Sequence, residues 1–302
     1  MDKRIIKILK KPSLLFMTLG HREFFNWMND KTYLQIAYRI AMRKKLNLKN
    51  PKKYTEKLQW LKLYDRKDEY TIMVDKYEVK KYVSQKLGEQ YIIPTLGVWE
   101  KFEDINFDKL PNQFVLKCTH DSGGLIVVKD KKNFNKDVAR KKINECLKHS
   151  FYWGEREWPY KNVRPRIIAE QYMEDESGEL RDYKFFTFDG KAKAMFIATE
   201  RTNEKEETKF DFFDMNFEHL PFINGHPNSN VKIMKPKCFE QMKNLAEKLS
   251  KGIPQVRVDF YEVDGKVYFG EMTFFHWSGL VPFEPEEWDY TFGSWLKLPS
   301  KK

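Results

Sequence analysis

Three groups of residues in this 302-residue chain combine types and spacings that could do chemistry. Lys117 ends the run Phe114-Val115-Leu116 and precedes the small-residue loop His120-Asp121-Ser122-Gly123-Gly124. A lysine at the end of a buried strand sets a fixed cation beside the amides of a glycine loop, and that combination can hold phosphate oxygens. The spacing is not that of a Walker loop, and a Gly-Gly hairpin with a lysine on its rim also occurs as plain structure. The second group is Arg257, Asp259 and Glu271. Asp259 lies five residues before the turn Asp264-Gly265 and Glu271 six after it, so the two carboxylates can meet on adjacent strands and share a divalent cation. Mg²⁺ takes hard oxygen ligands from one or two carboxylates together with phosphates. A solvated acid pair, or an Arg257–Glu271 ion pair, would use the same residues. The third group is Glu170-Gln171-Tyr172-Met173 with Asp175, Glu176 and Asp182 beyond it. A backbone amide and carbonyl at such a strand end can read a purine edge between apolar side chains, with a carboxylate on ribose hydroxyls. Strands that end in acidic turns without any ligand are also common.

The elements that must position these groups follow from periodicity. From Asp2 to about Lys67 apolar residues recur at helical spacing, as in Tyr33, Ile36, Ala37, Ile40 and Ala41, and Tyr54 to Tyr64 is a further helix after Pro51. Asp75 to Lys86 is expected to be an amphipathic helix ending near Gly88, and Tyr91-Ile92-Ile93 a strand. Phe114 to Cys118 and Gly124 to Val128 form strand, loop, strand; Lys136 to Leu147 is a helix; Arg166 to Met173 is a strand. Asp189-Gly190 and Asp264-Gly265 each sit between two β-like runs, a strong hairpin signal, with a helix over Phe239 to Leu249 between the pairs. The charged segment Thr202 to Thr208 is expected to be a mobile loop. The class is α+β with antiparallel sheets and a helical front.

Composition bounds the partners. Lys plus Arg is 55 against 44 for Asp plus Glu, a formal net charge of +11, and aromatics make up 16%. So aromatic a chain folds rather than staying disordered, and its basic surface favours polyanions: nucleic acid, nucleotide phosphates, anionic lipid or acidic sugars. Cys118, Cys146 and Cys238 form no CxxC pair, which argues against a zinc ribbon or dithiol motif and for a reducing cytoplasm. The apolar run Leu14 to Gly20 is too short to span a bilayer, but behind the lysine-rich Met1 to Lys11 it could touch an anionic membrane face.

The order of these groups resembles that of ATP-grasp enzymes. Asp75-Lys76, Val115-Leu116-Lys117 with its Ser-Gly-Gly loop, Ile168 to Met173, Asp182-Tyr183-Lys184, Arg257-Val258-Asp259 and Gly270-Glu271-Met272-Thr273 follow that succession. With Asn50-Pro51, Glu56-Lys57-Leu58-Gln59-Trp60, Val74-Asp75-Lys76-Tyr77 and Ile93-Pro94, the sequence is most similar to the TupA-like ATP-grasp proteins encoded among bacterial capsule, O-antigen and teichuronopeptide genes. The resemblance implies an ATP-grasp fold with a helical region over 1–70, a subdomain with the phosphate lid over 71–178 and one with the metal-binding strands over 179–302, gripping ATP between the last two. It implies that Lys117 and Lys76 contact the phosphates, and that Ser122, Gly123 and Gly124 belong to the lid. Glu170 would read the adenine amino group, Tyr172 and Met173 would form the hinge, and one of Asp175, Glu176 or Asp182 would hold the ribose. It makes Arg257 and Lys184 the catalytic cations and Asp259, Glu271 and Thr273 the Mg²⁺ ligands. Thr273 stands where many of these ligases have Asn, which weakens a second metal site. His276, Ser278 and Gly279 fall where such enzymes keep substrate loops, although a hydrogen-bonded loop histidine is an equal account of His276.

The activity implied is an ATP- and Mg²⁺-dependent carboxylate–amine ligase working through an acyl-phosphate, joining an amino acid or amine to a sugar acid of a surface polysaccharide, in the cytoplasm or peripherally at the inner membrane face. No nucleophile motif such as GxSxG is present, and none is needed when the substrate carboxylate attacks. A kinase or other glycan-modifying transferase could use the same nucleotide site. A non-catalytic basic protein on a membrane surface or nucleic acid is the remaining reading, and the absence of a Lys/Arg-rich tract with paired aromatics counts against nucleic acid.

Overall fold

The structure, a computed structural model, describes residues 12–121, 123–175, 180–200 and 207–300. The lysine-rich start, Ser122, Glu176 and residues 202–206 of the charged segment lie outside the described residues. The front of the chain is helical, as its periodicity predicts: α1 (Pro12–His21), α2 (Asp30–Met42) and α3 (Tyr54–Tyr64). The Asn29 side chain caps α2 by accepting the Thr32 N–H at 3.0 Å. One face of α2 then buries Tyr33, Leu34, Ala37 and Tyr38, which pack with Leu46 and Leu280 in a separate small core. The helix expected over Asp75 to Lys86 starts three residues later, as α5 (Glu78–Leu87), and a separate helix α4 (Asp68–Val74) precedes it. Asp75 is the break: its backbone is extended, and its Oδ1 accepts the N–H groups of Tyr77 at 2.8 Å and Glu78 at 3.2 Å.

A four-stranded antiparallel sheet in the order β1-β4-β2-β3 comprises β1 (Thr95–Trp99), β2 (Phe114–Cys118), β3 (Leu125–Val128) and β4 (Ile167–Gln171). The strand expected at Tyr91-Ile92-Ile93 is displaced, because Glu89–Tyr91 is a 3₁₀ turn and pairing starts only after Pro94. Proline has no N–H to give a ladder; its carbonyl instead accepts the Gln171 N–H at 3.0 Å. Helix α6 (Lys136–Leu147) lays Ala139 and Ile143 on this sheet beside Phe114, Leu116, Ile167 and Ala169. A short helix α7 (Tyr152–Glu155) joins it to β4.

The second sheet has six antiparallel strands in the order β11-β10-β5-β6-β7-β8: β5 (Asp182–Phe188), β6 (Lys191–Thr199), β7 (Lys209–Phe213), β8 (His219–Leu220), β10 (Gln255–Val263) and β11 (Lys266–Thr273). A two-stranded ribbon pairs β9 (Ile223–Asn224) with β12 (Phe283–Glu284). Both predicted hairpins form. Their turns place Asp189 and Gly190 at φ 49° and 73°, and Asp264 and Gly265 at φ 50° and 70°, the two positive angles that match the strands' twist. Helix α8 (Phe239–Leu249) packs Phe239, Met242, Leu245, Ala246 and Leu249 on this sheet, and α9 (Glu287–Trp295) adds Phe292. Met73, Val74, Val79 and Val83 of α4 and α5 enter the same large core, so these two helices are anchored to the six-stranded sheet. Lys76, between the two helices, and Lys80, in the first turn of α5, reach the first sheet's β2–β3 loop and β4.

Candidate active site

The site is built on one row of cross-strand neighbours. Lys184 on β5 is the register partner of Asp259 on β10, and Asp259 is the partner of Glu271 on β11. The one-residue mismatch about the turn is absorbed by a bulge after Asp259, at Gly270, where an added Cβ would lie 3.1 Å from the Asp259 carbonyl oxygen. Arg257, two residues before Asp259 and so on the same face, grips its carboxylate with Nε to Oδ1 and Nη2 to Oδ2, each at 2.7 Å. Nη2 also reaches Glu271 Oε1 at 3.1 Å and Thr273 Oγ1 at 3.0 Å. The Lys184 ammonium contacts Asp259 and lies 3.4 Å from Asp182. Burial pushes the Glu271 carboxyl up, but Lys184, Arg257 and Lys76 outweigh it and hold it at about 2.

A cleft opens between this row and the four-stranded sheet. Its polar part, about 180 Å³, is lined by Lys76, Lys117, Asp121, Gly124, Lys184 and Glu271. The Lys76 ammonium donates to the Asp121 carbonyl, tying α4–α5 to the β2–β3 loop. Gly123 belongs to that loop, and its N–H donates to Asp121 Oδ1 at 2.5 Å. Gly124 is required by close approach: a Cβ there would sit 2.5 Å from the Cys118 sulfur and 2.6 Å from that of Cys146. The cleft continues into an apolar part of about 280 Å³, bounded by Ile93, Val115, Val127, Tyr172, Met173 and Ala198. A cleft cationic at one end and apolar at the other suits a nucleotide, phosphates first and base behind.

Glu170 stands where the two parts meet. Its carboxylate, 5% exposed, is clamped between Lys117 at 2.6 Å and Lys80, and these cations draw its pKa below the ordinary value against the opposing effect of burial. Glu170 is thus the counter-ion of both lysines, and two ammonium groups leave part of its acceptor capacity open. Asp182 lines the cleft, whereas Asp175 lies outside both of its parts and acts electrostatically on Tyr183.

The three residues expected to meet substrate divide in the same way. His276 is 3% exposed and both ring nitrogens are engaged. Arginine can only donate, so Nδ1 accepts from Arg257 Nη1 at 2.9 Å, and the protonated Nε2 donates to Asn224 Oδ1 at 2.9 Å. The Asn224 amide donates to the carbonyls of Val281 and Pro282, which fixes its orientation. His276 is therefore kept neutral, its pKa far below the usual value through burial and the nearby Arg257 and Lys184, and it orients Arg257 rather than contacting substrate. Gly279 is packed on α3, where a Cβ would lie 2.6 Å from Gln59 Nε2. Ser278, 2% exposed, accepts the Lys62 ammonium on both its carbonyl, at 2.8 Å, and its Oγ, at 2.6 Å, and borders a second cavity.

Among the described residues no three His, Cys, Asp or Glu side chains are grouped to cage a metal ion. The donors present fit a different kind of site. Glu271, its side chain 41% exposed, faces the cleft; Asp259, fully buried behind it, has three donors on about four lone-pair sites. Such a pair can take a hard cation that completes its shell with phosphate oxygens. The Thr273 hydroxyl accepts from Arg257 and lies 3.4 Å from Glu271 Oε1.

Lys80 and Asn224 escape sequence reasoning. Lys80 is four residues from Lys76, so the two share one face of the chain as it enters α5, but a lysine pair on an amphipathic helix reads as solvated until Glu170 is placed against it.

The sequence matches the TupA-like ATPgrasp family over residues 56–297, and the chain belongs to that family. The fold is an ATP-grasp fold. Solved structures similar to it include the D-alanine–D-alanine ligase of Bacillus anthracis complexed with ATP (19% identity, 67% of this chain and 53% of that chain, TM-score 0.38). Others are the D-alanine–D-alanine ligase of Helicobacter pylori (17%, 80% and 69%, 0.41) and the ATP-grasp ligase PsnB complexed with minimal precursor, Mg and ADP (10%, 84% and 64%, 0.40). The chain thus spans about half the length of the Bacillus anthracis ligase, at 53%. No curated protein matches it.

Proposed function

We propose that the chain is an ATP- and Mg²⁺-dependent carboxylate–amine ligase that activates its carboxylate as an acyl-phosphate. The observation that carries this reading is the graded cleft: an apolar end beside the β4 strand end, then Lys117, Lys76 and Lys184, then Glu271 with Arg257 at its back. Family membership supports ATP as the nucleotide. Tyr172 and Met173 would flank the base, Asp182 is placed to meet the ribose, and Gly123 and Gly124 would cover the phosphates together with Ser122. Bound Mg²⁺, held by Glu271 and Asp259 with Thr273 at the margin, would neutralise phosphate charge.

The chain's own contribution is electrostatic. Arg257 is held rigid by Asp259, Glu271, Thr273 and His276, so it presents a fixed cation where charge shifts during phosphoryl transfer. Lys184, pinned by Asp259 and Asp182, does the same from β5. The substrates we propose are a sugar acid or glycan precursor and an amino acid or other amine, used in surface polysaccharide assembly; an anionic substrate suits a chain of net charge +11. Its unpaired cysteines fit a cytoplasmic setting, and Phe24 and Trp27, 65% and 79% exposed, suit contact with the inner membrane face. No helix among the described residues is long and apolar enough to cross a membrane. ADP release from Mg·ATP is expected to require both a carboxylate and an amine; turnover with a hydroxyl acceptor alone would make the protein a kinase instead.

A further inference from the structure

A cavity of about 710 Å³ lies against the nucleotide cleft and shares Lys76 and Glu271 with it. Arg257 and Thr273 stand at the shared wall, and the cavity runs from there past Phe151, Tyr160 and Trp277 to Glu155 and Glu157. The two ends differ in charge. At the shared wall Lys76, Lys184 and Arg257 face Asp182, Asp259 and Glu271, three cations against three carboxylates. At the far wall Glu155 and Glu157 face one cation, Lys62. All three N–H groups of Lys62 go elsewhere: to the Glu155 carbonyl at 2.9 Å, the Ser278 carbonyl at 2.8 Å and Ser278 Oγ at 2.6 Å. The nearby Arg156 is turned away, donating to the Phe25 carbonyl at 2.7 Å and lying 3.5 Å from Asp30.

Glu157, 4% exposed, instead lies beside Glu155 and Ser278. Burial pushes its carboxyl up to about 8 and brings the Lys62 ammonium down to about 8, so the far wall holds at most one cation for two carboxylates and favours a proton on Glu157. An ammonium group entering between the two carboxylates would take that proton's place. The aromatic sides suit the same guest, with the Phe151 and Tyr160 rings packed edge to face at 4.9 Å and Trp277 39% exposed beside the cavity. A carboxylate would be repelled here and drawn to Arg257 and Lys76 at the other end.

We propose that this cavity is the acceptor site, that it takes a primary amine in its ammonium form, and that Glu155 and Glu157 select it. The inference rests on the ligase reading above and deepens it by assigning the amine to one wall and the carboxylate to the other. The test is thermal unfolding of the full chain saturated with Mg·ADP, with ethanolamine, L-alanine, L-lysine and 4-aminobutyrate as amines, and ethylene glycol and lactate as probes without an ammonium. At least one amine should raise Tm above that of the Mg·ADP complex while both other probes leave it unchanged. Glu157→Gln should weaken that amine about tenfold or more while keeping the Mg·ADP shift. Should that buried substitution prevent folding, Glu155→Gln serves, since the Glu155 contact with Lys62 is through its backbone carbonyl. No amine preference, or both variants responding as the parent does, overturns the inference while an intact Mg·ADP shift leaves the nucleotide reading standing. Absence of the Mg·ADP shift itself refutes both.

Discussion

Asp259 and Glu271 are neighbours on paired strands, yet their removal should have very unequal consequences for stability. Asp259 is fully buried and compensates both Arg257 and Lys184. In Asp259→Asn those two cations keep their burial and lose their ion, a disruption that typically costs about 3–5 kcal/mol. With an unfolding entropy of about 2.1 cal/mol/K per residue over 302 residues, roughly 0.6 kcal/mol/K, that loss lowers Tm by about 5–8 °C. Glu271 is 41% exposed and 3.1 Å from Arg257, so its pairing is screened by water and Glu271→Gln should cost no more than about 1 kcal/mol, within about 2 °C. Both variants should lose Mg·ATP turnover by orders of magnitude. The assay is nucleotide-free thermal unfolding of the three proteins, followed by Mg²⁺ titration of ADP binding. Equal Tm values for the two variants would refute the layering of a buried carboxylate behind an exposed one; full turnover in both would refute the metal assignment.

Other consequences can be checked singly. Gly124→Ala drives a Cβ to within 2.6 Å of two sulfurs and should cost about 1–3 kcal/mol, read as a lower urea midpoint; an unchanged midpoint contradicts the close packing of that loop. Lys117→Ala should weaken ATP by about 1.5–3 kcal/mol, tenfold or more, with Lys80 left to hold Glu170; unaltered affinity in calorimetry means the phosphates lie elsewhere. His276→Leu leaves an Arg257 N–H and the Asn224 carbonyl oxygen buried without partners, so turnover should fall while ADP affinity holds; loss of ADP affinity instead would mean that His276 supports the nucleotide directly. Glu271 is held at about 2 against an ordinary 4.5, so the stability it adds is full above pH 4.5 and fades as pH falls toward 2. The difference in Tm between the parent protein and Glu271→Gln should shrink across that window, and parallel curves would contradict the shift.

How much of this was legible in the sequence depended on how local each signal was. The Asp189-Gly190 and Asp264-Gly265 hairpins and the helices Lys136–Leu147 and Phe239–Leu249 declare themselves within a dozen residues, through turn chemistry and apolar spacing. The hairpin register in turn brings Asp259 opposite Glu271. What sequence could not supply was competition for partners at long range. Glu170 shows no ion-pair partner until Lys80, ninety positions earlier, is folded against it. His276 looks free to meet substrate until Arg257 and Asn224 claim its two nitrogens. Asp75, taken as the start of one helix, closes α4 with an extended backbone and opens α5 with its carboxylate, a choice that depends on its backbone angles.

The most direct test of the central claim is chemical trapping of the activated carboxylate. The full chain is incubated with Mg·ATP, a panel of uronic and amino acids, and hydroxylamine, with hydroxamate and ADP measured together. The account predicts hydroxamate formed in step with ADP, dependent on one carboxylate and on Mg²⁺, and abolished by Arg257→Ala. ADP released to a hydroxyl acceptor with no hydroxamate formed would contradict it.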